Sequence, residues 1–519
     1  MNLASSRSTL AQRCGQDSAE RRAAADALRE RIRDGGIERL RVGWCDQHGM
    51  LRGKTLMGRG AADALDDGVG MVGTVMLKDT SDRTAWPVFD PTAAQRLPGF
   101  AFAANVMLLP DPLRAVDLPW SPGTAWVPAQ AWWDDGRPVA FDTRRVLQQA
   151  LQALAQQGHG LRCGLEVEFH AYRLLSDPDD PAQAEWPADG PQVALLHPGY
   201  QLLSEGHGDQ AEAALRIVQH TAQGLGLPLR SLEIELGPSQ FEAVFDAQEA
   251  LAAADAMVLL RNGVRQALRR AGFYATFVCR PPFAQVMSSG WHLHHSLTDA
   301  QGSGNAFAQA QAQTAGASAA GSSDPHATHA PHSPLDARSV LSQTGSHWLA
   351  GLLAHAPAMT ALASPTVNAF GRFRPNALAP MAARWGRDNR GAMLRVVGAP
   401  GDAATRIENR LGEPSANPYL YFASQVHAGL DGLKRALTPP PATADPYAAS
   451  PSEGQGAGDR LPMTLGAALD ALAADPVYRE GFGSEVLDWY VHLKRSEVSR
   501  HEAAVDKVAW DRREYFARL

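Results

Sequence analysis

The run GLEVEFHAYR, residues 164–173, alternates acids with apolar residues at a period of two. That period belongs to a β-strand, whose side chains point alternately to its two faces, so Glu166 and Glu168 share one side. Two carboxylates side by side repel unless cations or donors neutralise them, and the spacing suits adjacent hard metal ions. The plain alternative is a solvated strand face that happens to carry two acids. In SLEIELGPSQFEAVF, residues 231–245, the pattern recurs. Glu233 and Glu235 share a face, and the Gly-Pro turn can fold Glu242 back. In SSGWHLHHSL, residues 288–297, His292 and His294 alternate on one strand face and Ser296 continues the row. Neutral imidazole binds divalent metal or donates to phosphate, although a single histidine is more often a satisfied surface or core residue.

Arginines concentrate further along. NAFGRFRPNALAP holds Arg372 and Arg374, RWGRDNRGAMLR holds Arg384, Arg387, Arg390 and Arg395, and TRIENR holds Arg406, Glu408 and Arg410. Guanidinium forks match carboxylate and phosphate oxygens in two-point contacts, and alternation puts Arg406, Glu408 and Arg410 on one face. A chain with 48 Lys and Arg against 55 Asp and Glu, net charge −7, that gathers arginines here is built to grip an anionic ligand. A solvated ion-pair surface is the alternative. The same charge excludes a general nucleic-acid footprint.

Hydrophobic residues at 45% and charged residues at 20% are ordinary for a globular chain and exclude wholesale disorder. At roughly 150 residues per domain, 519 residues give a prior of about three domains. Cys14, Cys45, Cys163 and Cys279 form no CxxC pair, which argues against a disulfide scaffold or thiolate zinc site and fits a reducing compartment. With no apolar core after the early arginines and no run of 18 apolar residues, the expectation is a cytoplasmic chain with no membrane partner.

Residues 18–34 carry helical apolar spacing that stops at Gly35-Gly36. IERLRVGWCD and LRGKTL then read as short strands of a sheet-forming domain reaching about Trp133. A helix from Asp142 opens a larger domain. Residues 302–334 and 438–460 are dominated by small and polar residues, Pro and Gly, and are expected to be flexible insertions within it. Two motifs are decoys. HGMLRGKT at 48–55 puts His48 where a phosphate loop needs its first Gly, and His326, His329 and His332 lie in the low-complexity run.

Taken in order, GLEVEF, ELGPSQFE, SSGWHLHHSL, GLLAHAPAMTALASPTVNAFGRFRP, DNRGAMLR, and TRIENR followed by PSANPYL resemble the glutamine synthetase family, over most of residues 35–435. The resemblance implies an α+β fold, with a helical segment over 1–34, a small N-terminal β-grasp domain over 35–135 and a catalytic domain over 136–519 built on a curved antiparallel sheet. It implies rings, typically two stacked hexamers, in which a neighbour's N-terminal domain completes each site. Carried over by position, one divalent ion falls to Glu168, Glu235 and Glu242, and another to Glu166, His292 and Glu408. His294, Ser296, Arg395 and Arg406 fall on the nucleotide side. Arg372 falls on the clamp for the α-carboxylate of glutamate, and Arg390 and Arg410 on phosphoryl transfer. The cofactors implied are ATP, as substrate, and two or three Mg2+ or Mn2+ ions.

Three departures bear on the second substrate. Leu378 stands where ammonia-using members carry a Glu, Met287-Ser288 replaces the usual Asn-Gly, and the Asp-Gly-Ser-Ser ammonium segment is missing, with Asp79 and Asp82 the nearest candidates. Leu in place of a carboxylate removes a cation site and adds apolar surface. The resemblance is therefore to the γ-glutamyl amide ligases, γ-glutamylpolyamine synthetases among them, which join L-glutamate to an organic amine (polyamine, alkylamine or arylamine) through γ-glutamyl phosphate. The alternatives are a glutamine synthetase using ammonia and a catalytically inactive structural or regulatory member.

Overall fold

A computed structural model describes residues 8–177, 185–299, 302, 304–309, 337–448 and 459–519. The first sheet comprises β1 (Arg39–Cys45), β2 (Leu51–Leu56), β3 (Val69–Val72), β4 (Asn105–Pro110), β5 (Val116–Asp117) and β6 (Thr124–Trp132). Its order is β2-β1-β6-β4-β3, with β5 on β6. β1 is antiparallel to its hairpin partner β2 but parallel to β6, so the sheet is mixed. The expected leading helix forms at Ala19–Arg33, where the Ser18 side chain accepts from the Arg21 amide. This segment does not stand apart: Arg21 and Arg29 both pair with Asp66 on the helix Gly58–Asp67, and Leu28 is buried in the core.

The second sheet carries β7 (Gly160–Ser176), β8 (Gln192–Ala194), β9 (Leu229–Ile234), β10 (Gln240–Phe245), β11 (Gln248–Glu249), β12 (Phe273–Thr276), β13 (Trp291–Thr298), β14 (Trp385–Arg387), β15 (Leu394–Val397) and β16 (Arg406–Gly412). Its order is β14-β15-β16-β13-β7-β10-β9, and β8, β11 and β12 also pair with β7. Every pairing is antiparallel except β14 with β15. The alternation read in the sequence divides β7 into two faces. Leu161, Cys163, Leu165, Val167, Phe169 and Ala171 are buried on the odd face. Helices Thr143–Gln156 and Ala250–Arg270 pack against β7, and helix Pro418–Lys434 packs on both. An antiparallel sheet with one face in the core leaves the other free for polar work.

The start of the first low-complexity segment and both ends of the second belong to the fold. Phe307 is fully buried beside Trp348, and the Asn305 amide donates to the carbonyls of Ala403 and Thr405 at 2.8 and 2.7 Å. One large aromatic in a polar run is enough to dock six residues, so the insertion starts later than residue 302. Trp385 Nε1 donates to the Pro440 carbonyl at 2.7 Å, and Asp459 pairs with Arg384 at 2.8 Å, which ties down both ends of 438–460. Residues 310–334, with His326, His329 and His332, and residues 449–458 lie outside the described residues. Among the described residues, no helix is long and apolar enough to cross a membrane.

One buried ion pair joins the helices behind the sheet. Arg144 Nε and Nη2 donate to Asp255 at 2.9 Å each, and the Tyr419 hydroxyl donates to the same carboxylate at 2.7 Å. Removing one partner strands a buried charge, which costs about 3–5 kcal/mol, whereas apolar replacement of both is often near neutral. Arg144→Met is expected to lower Tm by roughly 3–5 °C, with Asp255→Leu added in the same chain restoring much of the loss. Scanning calorimetry of the two variants checks this, and an unchanged Tm for the single variant contradicts it.

Candidate active site

Register brings the acids together. On the even face of β7, Glu168 stands opposite Glu242 of β10, and Glu166 stands opposite His292 of β13. On the other side of β13, His294 stands opposite Glu408 of β16, which in turn faces Arg395 of β15. Two groups of donor atoms converge within 4.8 Å: Glu166, His292 and Glu408 in one, Glu168, Glu242 and His292 in the other. His292 Nδ1 lies 2.7 Å from Glu166 Oε1 and 3.8 Å from Glu408 Oε1, and its Nε2 lies 3.9 Å from Glu168 Oε1. His294 accepts from Arg406 Nε on Nδ1 at 3.1 Å, so its Nε2 carries the proton and donates to Glu166 Oε2 at 3.1 Å.

The electrostatics divide the carboxylates of the cluster into two sets. Burial, then the charges of Glu166, Glu168 and Glu235, push the Glu242 carboxyl up; burial, then Glu235, pushes Glu168 up. Burial also raises Glu235. Glu166 is held low despite its burial, by hydrogen bonds from His292 and His294. Glu408 is held low against its burial by Arg410 and the two imidazoles. Burial, followed by the Arg410 charge, brings His292 down to about 4, so it is a neutral donor. A crowded set of carboxylate oxygens around a neutral imidazole is the donor set of a hard or borderline divalent cation. Because a neutral imidazole has one lone pair, His292 serves one ion, with Glu166 and Glu408, while the oxygens of Glu168 and Glu242 offer donors for a second.

The supporting residues explain the precision of the cluster. Gln240 Nε2 donates to Glu168 Oε2 at 3.0 Å and to the Ser288 carbonyl at 3.3 Å, and the Gly290 amide reaches the same Glu168 oxygen at 2.9 Å. A Cβ at Gly290 would sit 3.0 Å from both His292 Nε2 and Arg372 Nη2, so only glycine allows this approach without a shift. Gln240 carries no signal in the sequence. Arg162 does, because it continues the even face of β7.

A groove of about 610 Å³ adjoins the cluster, lined by His294, Ser296 and Arg406 together with Arg162, Arg230 and Glu166. Arg395 instead bridges Asp388, at 2.9 Å from Nε, and Glu408, at 2.9 Å from Nη1. Arg410 pairs with Glu408 through Nη1, while its buried Nε has no partner among the described residues. That donor suits an anion. Arg390 is exposed in the turn between β14 and β15.

Four of the expected residues have partners that bear on their roles. Arg372 is 3% exposed and spends Nη1 and Nη2 on the carbonyls of Arg410, Leu411 and Gly412, so it anchors the end of β16 and is not a free two-point clamp. Glu235 is in neither converging group and one of its oxygens accepts from the Leu236 amide at 3.0 Å, while its charge still acts on Glu168 and Glu242. Asp79 is 2% exposed and paired with Arg500 at 3.0 Å, and Asp82, paired with Arg52 at 3.1 Å, keeps its carboxylate partly open. Leu378 is 57% exposed and sits at φ 51°, a backbone region a branched side chain rarely adopts, with its carbonyl 3.5 Å from Arg410 Nη2.

Comparison with known proteins is consistent with this geometry. Residues 140–323 and 329–515 match the family described as glutamine synthetase, catalytic domain. The chain is 34% identical to a γ-glutamylanilide synthase of an Acinetobacter species, over 96% of each chain. It is 28% identical to the γ-glutamylethanolamide synthetase GlnA4 of Streptomyces coelicolor, over 95% of this chain and 96% of that one. A solved GmaS complex with ADP superposes with a TM-score of 0.70 at 26% identity, covering 94% of this chain and 98% of that one.

Binding a cation to crowded carboxylates stabilises the folded state, by about 2.7 kcal/mol at 100 times the dissociation constant. Saturating Mg2+ or Mn2+ should therefore raise the melting temperature, and Glu242→Gln or Glu408→Gln should shrink that rise and cut turnover by at least about 100-fold. Near-normal turnover in both variants, with the metal-induced rise intact, contradicts the cluster.

Proposed function

The chain belongs to the glutamine synthetase family, and on that premise we propose that it joins the γ-carboxylate of L-glutamate to a primary organic amine, an arylamine first of all, with ATP converted to ADP and phosphate. The observation that carries this reading is the convergence of two carboxylate–imidazole groups beside a groove lined by arginines. The relatives named for an anilide and an ethanolamide support an organic amine over ammonia. Among polyamine, alkylamine and arylamine, the first relative favours the arylamine, which is neutral at pH 7 and needs no carboxylate to shed a proton.

A carboxylate is a poor electrophile, so it must first be activated. A γ-carboxylate oxygen attacks the γ-phosphorus of ATP, the bond to the β-phosphate breaks, and γ-glutamyl phosphate and ADP result. The amine nitrogen then attacks the γ-carbon, the C–O bond to phosphate breaks, and the departing phosphate takes up the proton that the nitrogen loses, leaving the amide. His294, Ser296 and Arg406, with Arg162 and Arg230, hold the nucleotide in this reading. Arg410, with its unpartnered Nε, and Arg390 on its exposed turn take up charge on the transferring phosphoryl group. A divalent ion held by Glu166, His292 and Glu408, and a second held by the oxygens of Glu168, Glu242 and Glu235, would supply charge neutralisation among the phosphate oxygens.

The domain reading assigns residues 35–135 to a β-grasp unit, with 1–34 as its helical lead, and 136–519 to the catalytic domain. Self-association into a ring follows from the family, with the loop of Asp82 presented to a neighbour's site. Light scattering on the active enzyme should give a multiple of the chain mass, and a fully active monomer contradicts it.

The amine assignment is tested at Leu378. Contact with one or two methylenes is worth about 1–2 kcal/mol, or roughly 5- to 30-fold in preference. The wild type should amidate glutamate with an organic amine far better than with ammonia, and Leu378→Glu should narrow that gap. Efficient glutamine formation with every organic amine ignored would replace this reading with ordinary glutamine synthetase.

A further inference from the structure

The segment that follows helix Pro418–Lys434 comes back to the catalytic arginines. Trp385 Nε1 donates to the Pro440 carbonyl at 2.7 Å, and the Thr443 amide donates to the Trp385 carbonyl at 2.9 Å. Arg384 Nη1 donates to the Ala448 carbonyl at 3.0 Å, and the Tyr447 amide donates to Asp445 Oδ1 at 2.9 Å. These bonds set Pro446 and Tyr447 against Gly391, the residue after Arg390. A Cβ at Gly391 would lie 2.5 Å from Pro446 Cγ and 3.1 Å from Tyr447 Cε2, so the glycine admits the ring. Residues 438–448 are otherwise small, polar or proline, and their one aromatic residue is the one delivered here.

Tyr447 is half-buried, with its hydroxyl turned inward. That oxygen is buried, and its proton has no acceptor among the described residues. Burial raises its pKa against the Arg410 charge, the Leu378 backbone and the Arg372 charge, so it stays a neutral phenol. Leu378 meets it from the other side. At φ 51° its carbonyl lies 3.5 Å from Arg410 Nη2, while its side chain is 57% exposed. Arg410 in turn pairs with Glu408 of the carboxylate cluster. The Leu378 side chain and the open part of the Tyr447 ring therefore adjoin beside an arginine that touches the cluster.

Charge decides what such a wall accepts. Arg372, Arg390 and Arg410 surround it. Of the acids at hand, Glu408 is paired with Arg395 and Arg410, and Asp445 takes the Tyr447 amide. The balance is positive, which disfavours an ammonium group and leaves an arylamine, neutral at pH 7, unopposed.

Resting on the amide-forming reaction above, we propose that Tyr447 is a specificity residue of the amine site, its ring and the Leu378 side chain together seating the aromatic ring of the arylamine. Aromatic rings pair well in offset or edge-to-face contact, which an alkyl or hydroxyl group cannot reproduce. The buried hydroxyl fixes the tyrosine in place, and the ring makes the contact.

The test compares aniline with hydroxylamine, a small and likewise neutral nucleophile without a ring, whose turnover also reports on folding. The ratio of kcat/KM for anilide formation to that for hydroxamate formation should fall at least about tenfold in Tyr447→Ala. Tyr447→Phe, which keeps the ring, should hold the ratio within about threefold of wild type. Gly391→Ala, whose Cβ displaces Pro446 and the ring, should lower the ratio as Tyr447→Ala does. Equal losses with both nucleophiles in the two alanine variants mark a structural role only and overturn the assignment. A ratio that falls as far in Tyr447→Phe as in Tyr447→Ala overturns the ring contact. A wild type that forms hydroxamate and alkylamides but no anilide also overturns it, while leaving amide formation standing. If no nucleophile elicits glutamate-dependent phosphate release, the amide-forming reading fails and this assignment falls with it.

Discussion

The antiparallel register that sets Glu168 opposite Glu242 is the constraint on which the site depends. Like charges directly opposite on a sheet destabilise it, and partial burial makes the repulsion larger. Such a register persists only because the other face of the same strands pays for it. Leu165, Val167 and Phe169 alternate with the acids and are buried, and a slip by one residue would exchange the two sets. The apolar face thus fixes where the carboxylates stand, and the carboxylates acquire their purpose from the cations they attract.

Geometry around that register is asymmetric along β7. At one end arginines and a histidine row line a groove for an anionic ligand, and at the other end a charge-free cavity opens between two loops. Gln240, Gly290 and Arg372 hold the middle by contacts with Glu168, with the Ser288 carbonyl and with the end of β16. The groove and the cluster meet at Glu166. Excluding water from that point protects an acyl phosphate that hydrolysis would otherwise destroy.

Much of this was legible in the sequence wherever period two governs. GLEVEF, H-x-H and TRIENR each announce a strand face, and the structure brings Glu166, Glu168, Glu242, His292 and Glu408 together from four strands. What was not legible depends on atoms distant in the chain. Glu235 has the right spacing, but the turn after β9 ties one of its carboxylate oxygens to the Leu236 amide. Arg372 lies in a matching motif, yet three backbone carbonyls claim its guanidinium. Asp79 and Asp82 look equivalent in LKDTSDRTAW until Arg500, more than 400 residues away, buries one of them. Phe307 hides in a run whose composition argues for disorder, and the apolar cavity is assembled from segments around 195–200 and 283–286 that carry no motif.

The central claim is that the γ-carboxylate is activated by phosphoryl transfer before the amine attacks. Glutamate labelled with 18O in its γ-carboxylate tests this most directly, by mass spectrometry of the phosphate released during amide formation. Transfer of one labelled oxygen from the carboxylate to each phosphate is the expected result, because that oxygen bridges carbon and phosphorus in the acyl phosphate and leaves with phosphorus. Amide formation with unlabelled phosphate would contradict the account.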